Sequence, residues 1–215
     1  MAINDKKLGE FMFAAALALA ACAPPPPAVA PTAAGAAEDA TPAQPSIVVT
    51  EAMGSPHVGD AAPDFDLPDQ QGKRVKLSEA RGSVVVLAFV ASFCPFSKAE
   101  QPYLAKLATD YAGRNVKVIA IGINEPEADY RSYLARIPMN IPVLRDEGGK
   151  VALSFTPPGA QSEFKDRTKA LVTSNLVIDR DGTIRFFTVV DTVNFDAKLV
   201  HVRRAVDRLL ADHPG

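Results

Sequence analysis

Two nearly unbroken apolar runs, Val84-Val85-Val86-Leu87-Ala88-Phe89-Val90 and Val116 to Ile123, have the pattern of strands covered on both faces. Between them, Lys98 through Ala112 is amphipathic at helical spacing, and Pro95 fits the first position of that helix. Strand, helix and strand in this order make a βαβ unit, whose strands run parallel. A shorter strand, Val75 to Leu77, precedes the first run across Ser78-Glu79-Ala80-Arg81-Gly82, a connector closing in Gly. Downstream the pattern predicts a helix over Glu127 to Ile137, a short strand Pro142 to Arg145, and a helical turn or two from Gly149 to Phe155. Ala170 to Ile178 and Thr183 to Val190 read as strands flanking Asp179-Arg180-Asp181-Gly182, whose Asp-Gly is a hairpin signal. A closing helix, Ala197 to Leu210, carries Leu199, Val202, Val206, Leu209 and Leu210 at helical spacing. The sum is an α/β domain: a central mixed sheet with a parallel centre, an antiparallel edge and helices on both faces.

Upstream the pattern changes. Met1 to Glu10 carries Lys6 and Lys7, and Phe11 to Ala21 is an apolar run too short to span a bilayer as a stable helix. Residues 1–21 therefore read as a signal peptide. The tetrapeptide Leu19-Ala20-Ala21-Cys22 resembles a bacterial lipobox. That resemblance implies cleavage before a diacylated Cys22, membrane anchoring through it, and a sulfur locked in a thioether. By the same resemblance the protein is expected in the cell envelope, facing the periplasm of a Gram-negative cell from the inner or outer membrane. Residues 22–55 are rich in Ala, Pro and Thr with few large apolar side chains, so they form a tether. Ile47-Val48-Val49 is a strand-like but isolated patch within it. Residues 56–215 have the size of one domain with a real core.

Charge excludes some partners. With 23 Lys and Arg against 25 Asp and Glu and no basic run, nucleic acid is not expected. His57, His201 and His213 are scattered, and no Cys/His ligand spacing occurs, so neither a metal nor another cofactor is expected. What stands out chemically is Cys94, where the first apolar run breaks into Cys94-Pro95-Phe96-Ser97 ahead of the helix. A thiol at that junction faces the unpaired amides and the positive end of the helix dipole, which favours its thiolate. Pro95 at the first helical position leaves Cys94 at the cap with its sulfur outward. The bland alternative is a buried, inert core cysteine. Phe93 and Phe96 read either as an apolar rim for a substrate chain or as packing of the loop and first turn. Glu100, one turn into the helix, either shuttles protons or pairs with Lys98 or a neighbour, and pairing is the expectation. The long polar stretch from Phe155 to Lys169 offers Lys165, Arg167 and Lys169 as cations for the site, or is a solvated charged loop.

Several residues in order carry a resemblance. Ala62-Pro63-Asp64-Phe65-Asp66-Leu67, Gly72, Val75, Leu77-Ser78, Gly82, Cys94-Pro95, Glu100 and Pro102 begin it. Val118-Ile119-Ala120-Ile121 and Leu176-Val177-Ile178-Asp179-Arg180-Asp181-Gly182-Thr183-Ile184 continue it. Together they resemble the alkyl hydroperoxide reductase/thiol-specific antioxidant group and its TlpA-like relatives, which implies a thioredoxin-like fold with an N-terminal β extension and thiol redox chemistry. TlpA-like oxidoreductases carry Trp-Cys-x-x-Cys, and here the second thiol is Ser97. Their cis-Pro falls where Thr173-Ser174 stands, which places Thr173 in the site, and peroxiredoxins supply an Arg near the same position. Peroxiredoxins also carry Pro and Thr where Leu87 and Ala91 stand.

A lone Cys94 supports monothiol chemistry. Without a second thiol, a mixed disulfide persists until an external thiol resolves it. Ser97 is expected to donate a hydrogen bond to the thiolate. The expected activity is thiol-disulfide oxidoreduction with protein or small-molecule thiols and disulfides as partners, and a Cys94-linked homodimer among the products. The alternatives are a one-Cys peroxidase acting on peroxide through a sulfenic acid, and a degenerate thioredoxin-fold binding module.

Overall fold

The computed structural model describes residues 56–123, 125–136, 139–157, 171, 173–188 and 195–212. Residues 1–55, on which the expected signal peptide, Cys22 and the expected tether fall, lie outside the described residues, as do Lys165, Arg167 and Lys169.

The sheet grows from the two apolar runs. β3 (Val84–Val90) and β4 (Val116–Gly122) pair in parallel, Val84 opposite Val116 through Val90 opposite Gly122. The connection between them is α1 (Pro95–Asp110), as a βαβ unit requires. β5 (Val143–Arg145) adds in parallel beyond β4. β6 (Asn175–Ile178) and β7 (Ile184–Thr188) add antiparallel on the other side, giving the order β5-β4-β3-β6-β7. β1 (Asp66–Pro68) and β2 (Arg74–Lys76) form a separate antiparallel hairpin, the expected N-terminal extension. A thioredoxin-like α/β fold results.

Every residue of β3 is buried, and its side chains alternate between two cores. Val85, Leu87 and Phe89 join Phe65, Leu77, Ile121, Phe155 and Leu176 on one face, with α3 (Lys150–Phe155) and the β1-β2 side. Val84, Val86, Ala88 and Val90 join the other face, packed by Leu104 and Leu107 of α1, Tyr130 and Tyr133 of α2 (Glu127–Arg136), and Val202 and Val206 of α4 (Val200–Asp212). The period of two along the strand assigns each residue to one core.

Some boundaries shift for local reasons. α4 begins at Val200, not Ala197, because Leu199 stands at φ +56 and the Asp196 carboxylate accepts from the His201 amide, capping the first turn. β6 begins at Asn175, not Ala170, because Thr173 stands at φ +64 and breaks the extended run. At the hairpin, Gly182 has φ +85, which a side chain rarely adopts, and Asp179 Oδ1 accepts from the amides of Asp181 and Thr183. The Arg81 guanidinium fills the space beside Gly182 and donates to the Asp181 carbonyl at 2.6 Å. Among the described residues, no helix is long and apolar enough to cross a membrane.

Candidate functional site

β3 delivers the chain to the end of the sheet, and there it turns into α1. Cys94 is the N-cap residue in extended conformation (φ −85, ψ 120), Pro95 is the first helical residue, and the Lys98 amide closes the first turn on the Cys94 carbonyl at 3.2 Å. The sequence placed the cysteine correctly on the backbone. Its environment is another matter, because the residue is 8% exposed and packs with the Phe89 and Phe155 core instead of pointing outward. Nor does the side chain make a capping bond to the helix amides.

A pair of hydroxyls meets the sulfur instead. Cys94 Sγ lies 3.2 Å from Thr173 Oγ1, and Thr173 Oγ1 lies 3.2 Å from Ser97 Oγ, which accepts from the Ala91 amide at 3.2 Å. The direction of the chain follows from proton inventory. A thiolate only accepts, so Thr173 donates to it; Thr173 Oγ1 then accepts from the Ser97 hydroxyl, whose own oxygen is held by the Ala91 N–H. Each proton is used once and all point toward the sulfur. Ser97 thus reaches Cys94 through Thr173 and not by the direct bond the sequence led us to expect.

Thr173 is held for this task at a cost. It is a β-branched residue in the left-handed region, where L residues are disfavoured by about 1–2 kcal/mol. The backbone around it is fixed from three sides: Thr173 N–H to Phe89 O at 2.8 Å, Phe89 N–H to Ser174 O at 2.9 Å, and Ser174 N–H to Leu171 O at 2.9 Å. Such over-determination is how a strained residue persists at a site.

Below the cysteine, α1 buries a polar stripe, Ser97, Glu100 and Gln101, at positions i, i+3 and i+4. Glu100 is 2% exposed and its Oε1 accepts from Asn175 Nδ2 at 2.8 Å, so it does not serve as a surface partner of Lys98. Burial raises its pKa to about 8; the Asn175 bond opposes the shift and the Asp196 carboxylate adds to it. Glu100 is therefore a neutral carboxylic acid through most of the range below pH 8. Its Oε2, the Asn175 Oδ1 and the Tyr133 hydroxyl have no hydrogen-bond partner among the described residues. On the loop before Cys94, Glu125 accepts from both the amide and the hydroxyl of Ser92, which fixes the approach to the cap.

The two phenylalanines differ in exposure. Phe93 is 55% exposed, while Phe96 is half-buried and packs edge-on against Phe195 at 4.8 Å. Sequence reasoning missed Asn175, Asp196, Glu125 and Tyr133. Asn175 alone left a signal: it is a polar residue opening an otherwise apolar central strand, where a buried partner is required.

Comparison with known proteins finds relatives in sequence and in fold. Thiol-disulfide oxidoreductase ResA of Halalkalibacterium halodurans is 33% identical over 90 residues, 42% of this chain and 51% of that protein, so the chain spans about half the length of this relative. The solution structure of a Bacteroides thetaiotaomicron protein, provisionally assigned as a protein disulfide isomerase, superimposes with TM-score 0.60 at 25% identity, over 72% of this chain and 91% of that one. Peroxidoxin BcpB of Mycobacterium tuberculosis shares the fold with TM-score 0.55 at 24% identity, over 73% of this chain and 97% of that one. The AhpC/TSA family model matches residues 58–187, more than half of the chain and the whole segment from before β1 to the end of β7 apart from its last residue. On that match, with Cys94 at the head of α1 in a thioredoxin-like fold, the chain belongs to the AhpC/TSA family.

Proposed function

We propose that this protein is a thiol-disulfide oxidoreductase that works through Cys94 alone. The observation that carries the reading is the hydroxyl chain Ser97-Thr173 ending on Cys94 Sγ at the N-cap of α1. Through Thr173 it supplies a hydrogen bond to a thiolate, with Ser97 standing where a dithiol enzyme would hold its second sulfur. The relatives named as thiol-disulfide oxidoreductases support the same chemistry.

The Cys94 thiolate attacks one sulfur of a substrate disulfide, the S–S bond breaks, and the other substrate sulfur leaves as a thiolate. The product is a mixed disulfide at Cys94. With Ser97 in place of a resolving thiol, an external thiolate completes the cycle. Phe93 offers apolar contact to the chain flanking the substrate disulfide. Peroxide chemistry has less support, since the positions of the peroxidase Pro and Thr hold Leu87 and Ala91, both fully buried and apolar.

The order Lys6, Lys7, apolar Phe11 to Ala21, and Leu19-Ala20-Ala21-Cys22 supports an envelope protein tethered through lipidated Cys22. Mass spectrometry of the mature N-terminus tests this, with a diacylglyceryl Cys22 expected. The activity itself is tested by reduction of a peptide disulfide with a small thiol as donor. Catalysis by the wild type and none by Cys94→Ser is the expected pair; equal rates overturn the reading.

A further inference from the structure

Beside the cysteine lies a cavity of about 170 Å³ that the exchange reaction at Cys94 does not by itself explain. Its wall is one face of α2, Asp129, Ser132, Tyr133 and Arg136, at helical positions i, i+3, i+4 and i+7. Ser92 and Lys98 close it from the two sides of the Cys94 turn. Among the described residues, the side chains of Lys98, Asp129 and Arg136 form no ion pair, so two cations and one carboxylate face the cavity uncommitted. Tyr133 is 5% exposed, and its hydroxyl is buried without a hydrogen-bond partner among the described residues. A buried phenol left unpaired costs free energy unless something else meets it.

We propose that this cavity binds the α-amino-carboxylate head of a low-molecular-weight thiol, the external thiol that resolves the Cys94 mixed disulfide. Lys98 and Arg136 take the carboxylate, Asp129 takes the ammonium group, and Tyr133 donates to the carboxylate from within. The two cations and one acid on the cavity match a zwitterion, and a volume of about 170 Å³ holds an amino-acid head. Free cysteine and a γ-glutamyl thiol peptide share this head. The inference rests on the exchange reaction proposed above and names its donor.

The electrons balance over two equivalents of the thiol. Bound RS⁻ attacks Cys94 Sγ in the mixed disulfide, the bond to the substrate sulfur breaks, and the substrate leaves as a thiolate. Cys94–S–S–R remains. A second RS⁻ attacks the R sulfur, forms R–S–S–R and returns Cys94 as a thiolate. Two RSH are oxidised and one substrate disulfide is reduced, with the protons of the two thiols passing to the two substrate sulfurs.

The test separates binding from redox chemistry. The chain has four tyrosines, so full-length protein carrying ¹³C-labelled tyrosine gives few ring signals, and Tyr133→Phe assigns the one in question. The probes are unreactive thioethers: S-methylcysteine, S-methylglutathione, S-methylcysteamine without the carboxylate, and 3-(methylthio)propionate without the amine. A head group held by two or three charge-assisted contacts is expected to bind with a Kd of about 1 mM. S-methylcysteine or S-methylglutathione should shift the Tyr133 signal, with the tighter of the two naming the source. The probes lacking either charge should bind about tenfold more weakly, as should Arg136→Ala and Lys98→Ala with the full head group. No shift at about 10 mM, or equal shifts from all four probes, overturns the proposal. The same titration on Cys94→Ser needs no thiol chemistry. Binding there with no turnover in the wild type would sink the exchange reading alone, and turnover without binding would sink the cavity alone.

Discussion

Replacing Thr173 by Val leaves shape and left-handed strain nearly unchanged and removes one hydroxyl, the one that ends on Cys94 Sγ at 3.2 Å. Both residues are β-branched, so the backbone cost at φ +64 stays the same. What is lost is the hydrogen bond that Thr173 can give to the thiolate form of Cys94, at a residue 8% exposed where little water is available to replace it. Hydrogen bonds to charged groups contribute about 1.5–3 kcal/mol, and the neutral thiol forfeits only part of that, leaving a difference of about 1.5–2 kcal/mol between the two protonation states. Alkylation of Cys94 by iodoacetamide at neutral pH should therefore slow by about 10–30-fold. Thr173→Ser keeps the hydroxyl and should stay within about twofold of the wild type. Folding stability should fall in the Val variant by about 1 kcal/mol, since Ser97 also loses its acceptor. A Val variant that alkylates as fast as the wild type would refute the relay, and so would a Ser variant as slow as Val.

The other consequences concern the carboxyl under the cysteine, the missing thiol and the hairpin. Glu100, with its pKa raised from 4.5 to about 8, holds a proton in the folded state that the unfolded chain releases above 4.5. Its contribution to stability is fully present below that value and is lost as pH rises through 8, a loss on the order of a few kcal/mol. Urea titrations of Glu100→Gln at pH 5 and pH 9 should show a flatter pH dependence than the wild type; identical slopes would place the acid elsewhere. Ser97→Cys puts a second sulfur one helical turn from Cys94, a Cα separation of about 5–6 Å that a disulfide spans. It should convert long-lived mixed disulfides into an internal bond between Cys94 and the introduced thiol, seen as a loss of two protons in the intact mass. Gly182→Ala places a Cβ at φ +85 in the space of the Arg81 guanidinium. A fall in Tm of about 2–8 °C is expected by calorimetry, from about 1–2 kcal/mol of backbone strain; an unchanged Tm would mean the turn relaxes.

The fold was legible because its strands and helices announce themselves by period. Val84 to Val90 and Val116 to Gly122 appear as strands where nearly unbroken apolar runs demanded them, and the parallel pairing followed from the helix between. Boundaries slipped where single residues adopt positive φ, at Thr173 and Leu199, because a β-branched or leucine residue carries no sequence signal for that conformation. The backbone placement of Cys94 and Ser97 at the start of α1 was also legible, since Cys-Pro at a strand-to-helix junction fits the cap and first position of a helix. Side-chain partners were not. Glu100 was expected to pair with Lys98 or a neighbour, yet the α1 face it occupies is buried, and its partner Asn175 lies 75 residues away. Asp196 and Tyr133 act on the site only through tertiary contact, and no local pattern marks them.

The lifetime of the mixed disulfide at Cys94 tests the central claim most directly. Reduced protein is mixed with one equivalent of a disulfide peptide, quenched with acid at intervals and weighed intact. A single adduct that forms on Cys94, persists without added thiol and disappears when a small thiol is supplied is the result predicted by one-cysteine exchange. No adduct, or a rapid gain of one oxygen with peroxide in its place, would contradict it.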